Sequence, residues 1–267
     1  NVQGLTLSHN PEAIGCFSCH GGNPFDGDKN GAHKNMILIP GNFADADISC
    51  GTANCHPDIT KRKGSNLMSN LSGMISVDRF VFNEQDNPDL LTDVHHLGNS
   101  AADEHLRNLC VKCHLDNPKT ETGPVTEKSR GGGCLACHIN YNELSSTAWL
   151  NHKVDENDTT YLNFHPSVSM QVTNQHCFGC HSRSGRISTN YEGWHETTMV
   201  ADEVELDSSY RLVEETRVFR YIKEDVHHKL GLSCIDCHNS FELMGDGNFY
   251  AHQEEQNTIS CEDCHTT

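Results

Sequence analysis

The chain has 267 residues, a formal net charge of -18, and only 35% hydrophobic and 7% aromatic residues. This acidity argues against nucleic-acid binding, and the longest apolar run, Met36-Ile37-Leu38-Ile39, is far shorter than the roughly 20 residues of a membrane-spanning helix. The low apolar fraction also predicts that the polypeptide cannot build a self-sufficient hydrophobic core.

The dominant pattern is a pair of cysteines followed at once by a histidine, which occurs seven times. Six copies are spaced C-x-x-C-H, the attachment signal for c-type haem, and the second is the longer variant C-x4-C-H. The two thiols form thioethers with the haem, and the histidine becomes an axial iron ligand. In chain order, motifs 1 to 7 are Cys16, Cys19, His20; Cys50, Cys55, His56; Cys110, Cys113, His114; Cys134, Cys137, His138; Cys177, Cys180, His181; Cys234, Cys237, His238; and Cys261, Cys264, His265.

Other uses of the cysteines explain less of this pattern. Disulfides or zinc sites would not require a histidine after every second cysteine. All fourteen cysteines belong to the seven motifs, so the sequence predicts seven haem c groups. With about 38 residues per haem, the haems must form the core, and the haem-free chain is not expected to fold stably.

Regular secondary structure is expected to be sparse. Residues 100–115 predict the best helix, capped by Ser100 with Asp103 three residues on. Residues 117–133 predict a loop, and residues 200–222 predict a possible β-hairpin around Asp207-Ser208-Ser209. The expected fold class is therefore mostly irregular, with short α-helices, little β-structure and single helical turns at the motifs.

The motif spacing suggests one heptahaem domain over residues 1–267 that contains an internal duplication. The gaps between first cysteines follow a medium, long, short order twice, which predicts a repeated three-haem unit at about 16–133 and 134–260. The sequence Asp93-Val94-His95-His96 in the first long gap is echoed by Asp225-Val226-His227-His228 in the second.

Twelve further histidines exceed the seven needed as second axial ligands. Methionine is the competing ligand, but the chain has only six methionines. The favoured second ligands are His9, His33, His96, His105, His165, His227 and His252. Three choices stay open: His95 or His96, His227 or His228, and His9, His152 or His195. His9 could also serve a haem of a neighbouring subunit.

Several segments resemble the low-potential multihaem c-type cytochromes of metal-respiring prokaryotes. They are CHSRSGRISTNYEGWHE, EDVHHKLGLSCIDCH, ELMGDGNFYAHQEEQNTISCEDCH and the opening CHGGN with Ala32-His33. The resemblance implies closely stacked haems, bis-histidine ligation and electron conduction. Some relatives polymerise into extracellular filaments in which one subunit's histidine binds the next subunit's haem.

Two functions follow from this pattern. The first is an electron conduit without enzymatic activity, serving redox partner proteins, extracellular acceptors or further copies of the chain in a filament. The alternative is a multihaem reductase of a small nitrogen or sulfur oxyanion, which needs one iron with an open distal side. The start at Asn1, as in a processed mature form, and the covalent haem predict a periplasmic or extracellular protein.

Overall fold

Short helices joined by irregular chain make up most of the computed structural model, which describes residues 7–155, 157, 163–183, 187–205 and 207–266. The α-helices are Pro11–Ile14, Phe17–His20, Lys29–Ala32, Pro57–Arg62, Leu67–Asn70, Ser72–Val81, Ala101–Leu109, Leu135–His138, Glu143–Val154, Asn174–His181, Val226–Lys229, Cys234–Cys237, Ser240–Met244 and Gln253–Gln256. The 3-10 turns are Leu7–His9, Ala46–Ile48, Val94–His96, Val111–Cys113, Thr189–Glu192, Ala201–Glu203 and Cys261–Asp263. The expected fold class is confirmed.

The predicted helix at 100–115 begins as expected but is shorter. Ser100 caps it by accepting a hydrogen bond from the Asp103 amide at 3.3 Å, and the helix ends at Leu109. Motif 3 then continues as the separate 3-10 turn Val111–Cys113. The cysteine motif therefore keeps its own tight turn instead of extending the helix.

This helix packs against Ser72–Val81 and forms the main cluster of buried apolar side chains. Leu71, Ile75, Val94 and Leu106 make up that cluster. The Arg79 guanidinium donates two hydrogen bonds to the Asp103 carboxylate, at 2.8 and 3.0 Å. Four aliphatic side chains are a small core for a chain of this length, so the polypeptide contributes little hydrophobic burial of its own at this centre.

The β-structure is two small antiparallel sheets. Ile139–Asn140 pairs with Ser167–Val168, and Arg217–Tyr221 lies between Trp194–Val200 and Tyr210–Val213. A hairpin does form within the predicted range, but the turn predicted around Asp207-Ser208-Ser209 was wrong. The turn is at 214–216, between Tyr210–Val213 and Arg217–Tyr221. The third strand, Trp194–Val200, was not expected. Residue 206 of the predicted range lies outside the described residues.

The position of the hairpin turn has a long-range cause. Glu214 and Glu215 both adopt positive φ, 54° and 64°, a conformation usually taken by Gly or Asn. The Glu214 carboxylate accepts a hydrogen bond from the Glu127 amide at 2.9 Å and lies 3.7 Å from the Lys128 ammonium. The predicted loop at 117–133 contains no helix or strand, and part of it anchors this turn.

Among the described residues, no helix has both the length and the apolar character needed to cross a membrane.

Candidate haem-binding sites

Five of the seven motifs close their backbone in the same way, whereas in motif 3 the His114 amide donates to the Val111 carbonyl at 3.3 Å. In motifs 1, 4, 6 and 7 the histidine amide donates to the carbonyl of the first cysteine, at 3.0, 3.2, 2.9 and 2.8 Å. Motif 2 makes the same bond, from the His56 amide to the Cys50 carbonyl at 2.9 Å, although it has two more residues. The longer motif therefore ends with its histidine anchored as in those four motifs, which favours the same chemistry.

All fourteen cysteines lie within the described residues, and all are free thiols. Over the described part of the chain there is also no group of three or more His, Cys, Asp or Glu side chains arranged to hold a bare metal ion. The described residues therefore show neither a disulfide nor a cluster of this kind. The thiols are left available for thioether bonds.

The causes of the thiol pKa shifts place motifs distant in sequence beside one another. Hydrogen bonding between Cys50 and Cys134 lowers the pKa of Cys50 and raises that of Cys134, which places motif 2 beside motif 4. The same relation joins Cys113 to Cys180, and so motif 3 to motif 5. It also joins Cys177 to Cys234, and so motif 5 to motif 6.

Polar contacts reinforce these junctions. The Arg130 guanidinium donates to the Gly179 carbonyl at 2.9 Å and to the Cys113 sulfur at 3.1 Å, so it bridges motifs 3 and 5. The Cys234 amide donates to the Asn174 side chain at 2.9 Å, which ties motif 6 to the helix that carries motif 5.

Smaller electrostatic effects of one cysteine on the pKa of another place further motifs near each other. Burial and then the neighbouring Cys50 and Cys55 raise the pKa of Cys19, so motif 1 lies near motif 2. Cys137 contributes to the raised pKa of Cys180 after its larger causes, the Cys113 hydrogen bond and burial, so motif 4 lies near motif 5.

At the far end, the pKa of Cys237 is raised by burial and then by Cys264, so motif 6 lies near motif 7. These neighbours give a motif succession 1-2-4-5-6-7, with motif 3 joined at motif 5.

Among the contacts of the described residues, four motif histidines have a ring hydrogen bond, and all four use Nδ1 for it. His20 Nδ1 lies 2.7 Å from the Ile37 carbonyl, and His138 Nδ1 lies 3.0 Å from that of Ser169. His114 Nδ1 contacts the Val111 carbonyl, whereas His238 Nδ1 lies 2.5 Å from the Glu242 carboxylate. A partner on Nδ1 fixes the ring orientation and leaves Nε2 free for a metal.

Three predicted second ligands each face a motif histidine. The ring centroids are 6.1 Å apart for His165 and His20, 6.4 Å for His9 and His56, and 5.9 Å for His227 and His265. These pairs belong to motifs 1, 2 and 7. They join residues up to 145 positions apart, which is the distance from His20 to His165.

The facing pairs fit a haem iron held between them. Two imidazoles that bind one metal from opposite sides through nitrogen bonds of about 2 Å have ring centroids about 6 Å apart. Ordinary aromatic contacts also occur at this separation. What distinguishes a ligand pair from such a contact is whether each ring has a nitrogen free to bind iron. The Nδ1 atoms of His20 and His165 are bonded to carbonyls, the latter to Pro166 at 2.5 Å, so Nε2 is available on both rings.

The other four predicted second ligands lie in different surroundings. His33 is exposed, with Nδ1 bonded to the Lys29 carbonyl at 2.7 Å. His105 Nδ1 lies 2.9 Å from the Asp78 carboxylate, and His96 is exposed. His252 differs because its Nε2 contacts the Asp89 carboxylate at 2.9 Å. Among the contacts of the described residues, none of these four rings faces a motif histidine.

The structure distinguishes some of the alternative second ligands that the sequence left open. His95 uses Nε2 on Asp116 at 2.6 Å, whereas His96 does not share that contact. His228 bonds Glu224 at 2.6 Å through Nδ1 and packs edge-on against Tyr191, while its neighbour His227 faces His265. His152 lies on the helix Glu143–Val154, and His195 lies on the strand Trp194–Val200.

Two features of these sites were not predicted from the sequence. One is the carboxylate on Nδ1 of His238, contributed by Glu242 four residues later. The i, i+4 spacing of the two residues is the signal that could have found it. The other is the motif succession, which depends on long-range contacts that spacing does not carry.

Comparison with known proteins supports a haem role for the last third of the chain. Residues 176–266 match the family model described as Cytochrome c554 and c-prime, and this range contains motifs 5, 6 and 7. The chain has no significant match among curated proteins or solved structures. The similarity supports a c-type cytochrome, which transfers electrons through covalently bound haem.

Proposed function

We propose that this protein conducts electrons through seven closely packed c-type haems and takes part in extracellular electron transfer. The observation that carries the proposal is the motif succession, because every motif lies beside at least one other. Haems attached at neighbouring motifs would themselves be neighbours, as an electron path requires.

The axial ligands in this proposal are histidines throughout. His165, His9 and His227 would complete motifs 1, 2 and 7, where the facing rings support them. His33, His96, His105 and His252 would serve the remaining four, and His252 would have to give up its Asp89 contact. An iron with two histidines has no open site, so it exchanges electrons without binding a substrate.

We expect seven covalently attached haems per chain, all six-coordinate and low-spin. Intact mass after acid–acetone extraction of loose haem should exceed the polypeptide mass by seven haems. Electron paramagnetic resonance of the oxidised protein should lack a substantial high-spin signal, because each iron would have two strong nitrogen ligands. A mass excess of six haems would mean that motif 2 does not load.

The alternative, a reductase of a small nitrogen or sulfur oxyanion, makes the opposite spectroscopic prediction. Within the described residues, facing ring pairs occur at motifs 1, 2 and 7, so an open iron would belong to motifs 3 to 6. Stoichiometric carbon monoxide binding to one haem of the reduced protein would favour the reductase. A reduced spectrum barely changed by carbon monoxide would favour the conduit.

The proposal includes secretion to the periplasm or cell exterior and assembly into a conducting filament. Motifs 1 and 7 lie at opposite ends of the motif succession, so the haems attached there could meet those of neighbouring copies. Electron microscopy of native material should show filaments with one chain as the repeating unit. Particles that stay monomeric at high concentration would leave a soluble carrier for redox partner proteins.

A further inference from the structure

One motif histidine has a different electrostatic partner from the others. The Nδ1 partners of His20, His114 and His138 are backbone carbonyls, which carry no net charge. His238 Nδ1 lies 2.5 Å from the Glu242 carboxylate. Over the described residues, His238 is the only motif histidine whose ring contacts a carboxylate.

The Glu242 carboxylate is held in a buried position. Its side chain is only 4% exposed, and its second oxygen, Oε2, is buried without a hydrogen-bond partner. Asn239 caps the helix Ser240–Met244 by accepting from the Glu242 amide at 3.1 Å, and Gln256 donates to the Glu242 carbonyl at 2.6 Å. These contacts hold the Glu242 backbone in the position from which its side chain reaches His238.

A purely structural role would not require the charge. A glutamine in this place could accept the same hydrogen bond from Nδ1 and avoid burying a charge, which is costly without a partner. Among the described ion pairs, Glu242 has His238 alone as its partner. A buried carboxylate next to a metal-binding ring instead increases electron donation by that ring.

We propose that Glu242 is a positioning residue that strengthens His238 as an iron ligand and thereby lowers the reduction potential of the haem at motif 6. This inference rests on the proposed function, in which His238 is an axial ligand. A stronger donor stabilises ferric over ferrous iron, so the haem at motif 6 would be more reducing than those at motifs 1, 3 and 4. Burial makes the effect large, because a low dielectric strengthens the interaction between charges.

A partial comparison exists within the chain. Asp225 contacts His227 Nδ1 at 2.9 Å, but its side chain is 45% exposed, so water screens its charge. His227 faces His265 of motif 7. Removing the Asp225 charge should therefore shift the potential at motif 7 less than removing the Glu242 charge shifts the potential at motif 6.

The test is a redox titration of the haem-loaded Glu242→Gln protein, in which the reduction of the haems is monitored by spectroelectrochemistry. Glutamine keeps the size and the hydrogen-bond acceptor and removes the charge. One of seven midpoint potentials should rise, with a change in that haem's reduction equilibrium of about tenfold, which is about 59 mV for a one-electron couple. Glu254→Gln, an exposed site on the helix Gln253–Gln256, is the matched control and should leave all seven in place. Glu242→Asp, which keeps the charge, should shift the potential less than Glu242→Gln.

Two outcomes separate the inference from the function on which it rests. If Glu242→Gln carries seven low-spin haems and no potential rises, the inference is wrong and the conduit stands. If the wild-type protein lacks a haem at motif 6, the proposed ligation itself fails.

A measurement on the wild-type protein covers the case in which the variants do not load haem. Low-spin components with a narrower spread of g values should appear in its electron paramagnetic resonance spectrum, as expected for axial histidines with anionic character. The narrowest should belong to the haem at motif 6, because Glu242 is the most buried of the carboxylates on a ligand ring. Seven components with the same wide spread would overturn the inference.

Discussion

Removal of the haems should abolish the cooperative fold of the whole chain, not only of the motifs. The described polypeptide buries few large apolar side chains, and its main apolar cluster is Leu71, Ile75, Val94 and Leu106. Apolar residues between the paired cysteines, such as Phe17 and Ile235, are 49% and 38% exposed on the polypeptide. The conformational entropy of ordering a chain is about 1–2 kcal/mol per residue, and so small an apolar cluster cannot balance it.

The measurement is urea unfolding followed by circular dichroism, before and after chemical cleavage of the thioether bonds. We expect the loaded protein to unfold in a sigmoidal transition and the haem-free chain to show none, which amounts to loss of the whole free energy of unfolding. Loaded protein taken through the same chemistry without the cleaving reagent is the control. A haem-free chain that still unfolds cooperatively would show that the polypeptide supplies its own core.

The sequence predicted the local structure where residue type alone decides it. Ser100 begins its helix as expected, because its hydroxyl lies within reach of the Asp103 amide. Five motifs adopt a single helical turn as expected, whereas motif 5 lies in the longer helix Asn174–His181 and the longer motif 2 forms no helix. The echo of Asp93 and Asp225 also holds locally, since each carboxylate accepts from the amide two residues later, at 2.8 Å in both cases. The duplication itself stays a prediction.

The features that the sequence did not predict depend on contacts between residues far apart in the chain. The hairpin turn is at Glu214 because of residues near 127, and nothing in the local sequence marks that turn. Motif 3 lies beside motif 5 through Arg130, although motifs 2 and 4 flank it in the sequence. The contact between His20 and His165 has the same origin. Residue type made both of them candidate ligands, but spacing in the sequence could not pair them.

The His165→Gly substitution should convert the haem at motif 1 from low-spin to high-spin. His165 faces His20 at 6.1 Å with Nδ1 held by the Pro166 carbonyl, so Nε2 is the nitrogen left for iron. Burial lowers the pKa of His165, against a smaller raising effect of the Pro166 carbonyl, and so favours the neutral ring that binds metal. Without this ring the iron at motif 1 would keep only His20.

Electron paramagnetic resonance and carbon monoxide titration test this expectation. The His165→Gly protein should bind about one carbon monoxide per chain when reduced, and added imidazole should restore the low-spin state by occupying the space of the deleted ring. His95→Gly is the matched control, because His95 is exposed and its Nε2 is bonded to Asp116, and it should leave every haem low-spin. If His165→Gly also leaves every haem low-spin, another residue serves motif 1, and the facing ring pair is an aromatic contact alone.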